Sequence, residues 1–86
     1  MFNVNELKDL GFTVSGNGST TKYSFGEIIY TTNGSILPMT YVVDEFEQNG
    51  QLIEGRSFYL YDFKLETVPN IEQIAEFVGL YNVRVL

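Results

Sequence analysis

The chain contains no cysteine and no histidine, and its only prolines are Pro38 and Pro69. Without cysteine there are no disulfides and no thiolate metal sites, and an intracellular setting is favoured over a small secreted scaffold. Without histidine, no Ser-His, Cys-His or imidazole-metal arrangement can be drawn, so carboxylates, tyrosine and lysine are left as candidates for catalysis. No Pro/Gly/Ser-rich stretch divides the 86 residues, and one α+β domain spanning 1–86 is expected. No apolar run approaches the ~20 residues of a membrane-spanning helix. The opening Met1-Phe2-Asn3-Val4-Asn5-Glu6 lacks the basic and apolar regions of a targeting segment, so the expected location is the cytoplasm, with no membrane partner. Bases are scarce too: five Lys and Arg against eleven Asp and Glu give a net charge of −6. Such a surface disfavours direct contact with nucleic acid and favours a protein partner with a basic surface, although solubility alone would also account for it.

What is present is apolar and aromatic material. Hydrophobic residues make up 44% of the chain, with seven Phe and six Tyr, enough for a core without covalent staples in a domain that buries roughly 60–70% of its unfolded surface. Asn3, with Glu6 three residues later, apolar Val4, Leu7 and Leu10, and Gly11 to close, predicts a short N-terminal helix. Asn70 with Gln73, an apolar stripe at Ile71, Ile74, Ala75, Phe77 and Val78, and Gly79 predict a second helix near the C-terminus. Each is followed by a strand-like run, Phe12–Ser15 and Tyr81–Leu86.

Between the helices stand two Asn-Gly pairs, Asn33-Gly34 and Asn49-Gly50, each flanked by β-prone residues, the strongest short-range hairpin signal. The predicted fold class is therefore α+β, with an antiparallel four- to five-stranded meander sheet and two short helices. Two-residue loops at both turns would place Tyr41 between Gly26 and Phe58, and Met39 between Ile28 and Leu60. Alternation then gives one face to Ile28, Tyr30, Leu37, Met39, Tyr41, Val43, Phe58 and Leu60, the natural bed for the helices. The reverse face would carry Tyr23, Phe25, Ile29, Ile36, Val42, Tyr59, Tyr61 and Phe63, and would need a cover. Pro38, lacking an N–H, should interrupt the second ladder. Gly16-Asn17-Gly18 should turn Phe12–Ser15 against Lys22–Phe25 as a fourth strand, with Tyr81–Leu86 as a fifth at either edge.

No segment assembles a reaction centre. Tyr59, Tyr61, Asp62 and Lys64 cluster in sequence, but alternation sends the tyrosines to one face and Asp62 with Lys64 to the other. Gly16-Asn17-Gly18-Ser19-Thr20-Thr21-Lys22 superficially suggests a phosphate loop, yet its Lys follows Thr and leads into a strand. Setting Gly50 at the sixth position of a calcium loop puts Arg56 where a bidentate Glu is required. No metal or other cofactor is expected, and the chain is read as non-enzymatic.

The acidic run from Asp44 is the most informative polar feature. In the expected register Glu45 faces Glu54, with Glu47 on the same side, and Phe46 faces Ile53 on the other. Residues 45–54 would extend past the neighbouring strand as a two-stranded tip. Asp44, Glu45, Phe46, Glu47, Ile53 and Glu54 are the candidate partner-binding residues, the carboxylates steering and the apolar pair anchoring. A plain solvated hairpin end, its charges blunting an edge, is the competing reading. Glu45 and Glu47, about 6.8 Å apart on a strand, approximate two phosphate steps of a duplex strand. In size, charge and lack of catalytic residues the chain is similar to small acidic inhibitors, including virus-encoded antagonists of host nucleases, and by that analogy an inhibitor docking on the basic groove of a nucleic-acid-handling protein is expected. Two alternatives stand beside it. One is an assembly module dimerising through Tyr59, Tyr61 and Phe63 on the second apolar face, and the other is a carrier of a small apolar ligand.

Overall fold

The computed structural model describes residues 2–85. Helix α1 (Val4–Asp9) starts with the expected capping box: Asn3 Oδ1 accepts from Asn5 N–H at 2.9 Å, and Glu6 Oε2 accepts from Asn3 N–H at 3.1 Å. These bonds satisfy N–H groups that a helix start otherwise leaves without partners. Then come β1 (Thr13–Asn17), β2 (Thr20–Phe25), β3 (Ile29–Thr31), β4 (Gly34–Ile36), β5 (Met39–Gln48), β6 (Gln51–Leu60), β7 (Phe63–Lys64) and helix α2 (Ile71–Val85). The main sheet has five antiparallel strands in the order β1-β2-β5-β6-β7, and β3 and β4 form a separate two-stranded sheet. The fold class is α+β, as the sequence predicts.

The β5–β6 hairpin has the anticipated register, with Met39 opposite Leu60, Tyr41 opposite Phe58 and Glu45 opposite Glu54. Its turn residues Asn49 and Gly50 both take left-handed backbone, φ 52° and 77°, the geometry a two-residue loop needs to match strand twist. On the other side of β5 the expectation fails. Tyr41 lies opposite Tyr23, not Gly26, and Met39 opposite Phe25, not Ile28. The pairing is displaced by three residues, and an odd displacement turns every side chain of β2 over. Tyr23 and Phe25 therefore face the helices, while Thr20, Lys22 and Ser24 take the reverse face.

Residues 26–38 leave the sheet, which frees the pairing from the Asn33-Gly34 turn. At the neck of this excursion Gly26 has φ 97° and lies against the Pro38 ring, so closely that a Cβ there would come within 2.5 Å of Pro38 Cγ. Pro38 stands one residue before β5, where its missing N–H breaks no ladder bond, and its carbonyl accepts Tyr61 N–H at 2.9 Å. Within the excursion Thr31 pairs with Gly34, so the turn itself is Thr32-Asn33, closed by Thr31 Oγ1 donating to Gly34 O at 2.7 Å. Ile28 and Tyr30, expected beneath the helices, are exposed instead.

The core is Leu7, Phe12, Met39, Tyr41, Phe58, Ile74 and Val78, with Tyr23, Phe25, Val43, Leu60, Phe77 and Tyr81 packed against it. Aromatic rings tie the layers together: Phe12 meets Phe25 at 5.3 Å, Tyr23 meets Tyr41 at 5.8 Å, and Tyr81 meets Phe25 edge-on at 5.6 Å. That last contact explains a second correction. The run from Tyr81 is not a strand, because α2 continues through Gly79 to Val85; Leu86 lies outside the described residues. Ile71, Ile74, Val78 and Tyr81 keep helical spacing, and Tyr81 Oη accepts Glu27 N–H at 3.2 Å. A mid-helix glycine costs about 1 kcal/mol against alanine, less than burying part of a tyrosine returns. The fifth strand is β7.

Candidate functional site

Beyond Asp44 the β5–β6 hairpin outruns its neighbour. Pairing with β2 ends at Thr20 opposite Asp44, followed by one bond from Glu45 N–H to Ser19 O at 2.9 Å. Glu45 to Gln48 and their partners in β6 project as a two-stranded tip, about 14 Å long at strand rise. The molecule accordingly measures 49 × 32 × 22 Å, with a radius of gyration of 13.7 Å, against about 12 Å for a compact chain of this length.

Alternation sorts the tip by face. Glu45, Glu47, Leu52, Glu54 and Arg56 continue the helix-side face of the sheet, and Asp44, Phe46 and Ile53 lie on the reverse. The structure thus gathers Glu45, Glu47 and Glu54 on one face and pairs Phe46 with Ile53 on the other, both as the sequence predicts. Leu52, 74% exposed opposite Glu47, is the apolar side chain that shares the acidic face. Sequence reasoning passed over it, although the register already paired it with Glu47. Phe46 is 46% exposed and partly serves the hairpin itself, its ring edge filling the space over Gly55 that a Cβ would contest at 3.3 Å.

Charge at the tip is not a simple pile of carboxylates. Arg56 Nε donates to Glu54 Oε1 at 2.6 Å, and the same guanidinium forms an ion pair with that carboxylate. This bond raises the Arg56 pKa above its ordinary value, and the pair relieves part of the repulsion between Glu54 and Glu45 facing it across the ladder. Arg56 also reaches the core: burial pushes the Tyr41 phenol above its usual range, and the charge of Arg56 with a side-chain hydrogen bond works the other way. Asp44 is a base for the tip, its Oδ1 accepting from Thr20 Oγ1 at 2.6 Å. Glu45 and Glu47 remain as the outward carboxylates.

The residues expected at a self-association face are split: Tyr59 and Tyr61 line one groove on the reverse face, whereas Phe63 pairs with Leu60 and so falls on the helix side. Tyr59 is half-buried beside this groove of about 450 Å³ between the reverse face and the β3–β4 hairpin, whose walls include Thr20, Lys22, Ser24 and Thr40. With β2 turned over, the groove mixes these hydroxyls with Tyr59, Tyr61 and the aliphatic side chains of Ile36, Leu37 and Val42. Tyr61 occupies the β6–β7 turn with φ 56°, and Phe63 is 70% exposed at its far side. Among the described residues, no group of three or more acidic side chains gathers to hold a metal ion, and no helix is long and apolar enough to cross a membrane.

Comparison with protein-family models, with curated proteins and with solved structures finds no match for this chain.

Proposed function

We propose that this is a small acidic, non-enzymatic binding protein that acts in the cytoplasm as an inhibitor, docking the Glu45, Glu47 and Leu52 face of its tip into a basic groove of a nucleic-acid-handling protein. The observation that carries the reading is the overhang. A hairpin that runs past its sheet with carboxylates about 6.8 Å apart on one strand can enter a groove shaped for a phosphate backbone. Carboxylates would steer the encounter, Leu52 would supply apolar contact on the same face, and Glu54, already paired with Arg56, would hold the face rigid.

The test is affinity capture from the organism that encodes the chain, comparing the wild type with a Glu45→Gln/Glu47→Gln variant. The reading expects basic proteins retained by the wild type, released by competing duplex DNA, and absent from the variant. The same proteins held equally by both forms, or unmoved by DNA, would remove the tip from the interface. A second reading, a carrier of a small ligand, draws on the groove of about 450 Å³, within the usual size of ligand sites. Native mass spectrometry showing a retained small molecule would favour it.

A further inference from the structure

An antiparallel sheet that does not close leaves rows of unpaired N–H and C=O groups at its edges, and proteins usually guard them with charge, shortness or cover. Here the overhanging part of β5 carries Glu45 and Glu47, the outer side of β6 carries Glu54 and Arg56, and β7 is two residues long with Lys64. The remaining edge of the five-stranded sheet is β1, five residues exposed along their whole length. It carries no charge, and none occurs in the sequence between Asp9 and Lys22. In a chain of net charge −6, this is an edge that a like-charged copy can approach without facing a carboxylate.

We propose that β1 is a homodimerisation edge: two copies pair β1 against β1, antiparallel about a two-fold axis at Ser15, joining their sheets into one. The register follows from symmetry, because an isologous antiparallel contact pairs residue i with residue 30 − i, Ser15 with itself. Thr13 then faces the partner copy's Asn17, and Val14 faces its Gly16. On the helix side of the sheet, which Val14 and Gly16 share with Tyr23 and Thr21, the half-exposed Val14 lies over a position with no side chain. Gly16 cannot fill that space itself, since a Cβ there would come 2.8 Å from the Thr20 carbonyl oxygen. On the reverse side, Thr13, Ser15 and Asn17 meet their counterparts as hydrogen-bonding pairs. The contact is independent of the acidic tip, which it leaves uncovered.

So short an edge gives a weak dimer, with a dissociation constant of about 10 μM to 1 mM. The experiment is sedimentation equilibrium on the whole chain over that range, for the wild type, Ser15→Lys, Ser15→Asp and their equimolar mixture. Lysine at the axis would face its own copy and also stand beside Lys22, Ser15's neighbour on β2. Ser15→Lys should therefore weaken the dimer at least about tenfold, and Ser15→Asp less, because Lys22 offsets its charge. The mixture should associate more tightly than either variant alone, a recovery that damage to the fold would not give. Val14→Lys, at an exposed position of the same edge, is the second disruptor should Ser15→Lys unfold. A wild type monomeric at about 1 mM, a dimer indifferent to both lysines, or a mixture no tighter than its components would overturn the proposal. So would a dimer lost on Phe63→Ser but kept in Ser15→Lys.

Discussion

Replacing Gly26 with alanine tests the claim that the neck of the excursion, and not the Thr32-Asn33 turn within it, sets the register of β2 on β5. Two penalties add. Gly26 has φ 97°, where an L side chain is strained by about 1–3 kcal/mol. The new Cβ would also lie 2.5 Å from Pro38 Cγ and 2.9 Å from Cδ, ring carbons on a buried residue that cannot rotate aside, an overlap worth about 1–3 kcal/mol. The total of about 2–6 kcal/mol is a large part of the roughly 4–13 kcal/mol available to a domain of this size. Gly50→Ala is the internal control. Its φ is 77° and nothing lies within 4 Å of the added carbon, so it bears only the backbone strain, about 1–2 kcal/mol. Urea unfolding followed by far-UV circular dichroism gives both values. A Gly26→Ala cost within about 0.5 kcal/mol of Gly50→Ala would refute the neck, since measured differences that small are ordinary scatter.

Further outcomes follow from other elements. Gly79→Ala should stabilise the protein by about 0.5–1 kcal/mol in thermal or urea melts, because the position is exposed, open and mid-helix; destabilisation would mean α2 does not run through it. Asn70→Ala removes the acceptor of Gln73 N–H, a 2.9 Å bond, and should cost about 1 kcal/mol in the same melts. Burial raises the folded pKa of Tyr41, so its contribution is complete below the unfolded value of about 10 and is lost as pH rises through the folded one. Tyr41→Phe should therefore lose less stability than the wild type on titration from neutral pH into that alkaline window, and equal losses would count against the buried phenol.

Much of the fold could be read from local chemistry. The capping pairs Asn3 with Glu6 and Asn70 with Gln73 mark both helix starts, and Asn49-Gly50 fixes the β5–β6 register to its last pair. Both signals act within a few residues, where the sequence states its preference directly. The β2–β5 pairing is set at longer range, by burying Tyr23 and Phe25 and by the fit of Gly26 to Pro38. An Asn-Gly pair in an excursion looks the same in sequence as one joining sheet neighbours. Gly79 misled for a related reason: it resembles a helix stop until Tyr81 is seen against Phe25. At the tip, the pairing of Glu45 with Glu54 was legible. The relief supplied by Arg56 was not, because it depends on a side chain two residues along the same strand choosing Glu54 as its partner.

The central claim is the steering role proposed for the tip. The direct measurement is the association rate of the captured partner with wild type and Glu45→Gln/Glu47→Gln protein across a salt series. If the carboxylates steer, the variant associates about tenfold more slowly at low salt, and the two rates converge as screening shortens the reach of the charges. Equal rates at low salt, with both proteins folded, would contradict it and leave the tip a solvated hairpin end.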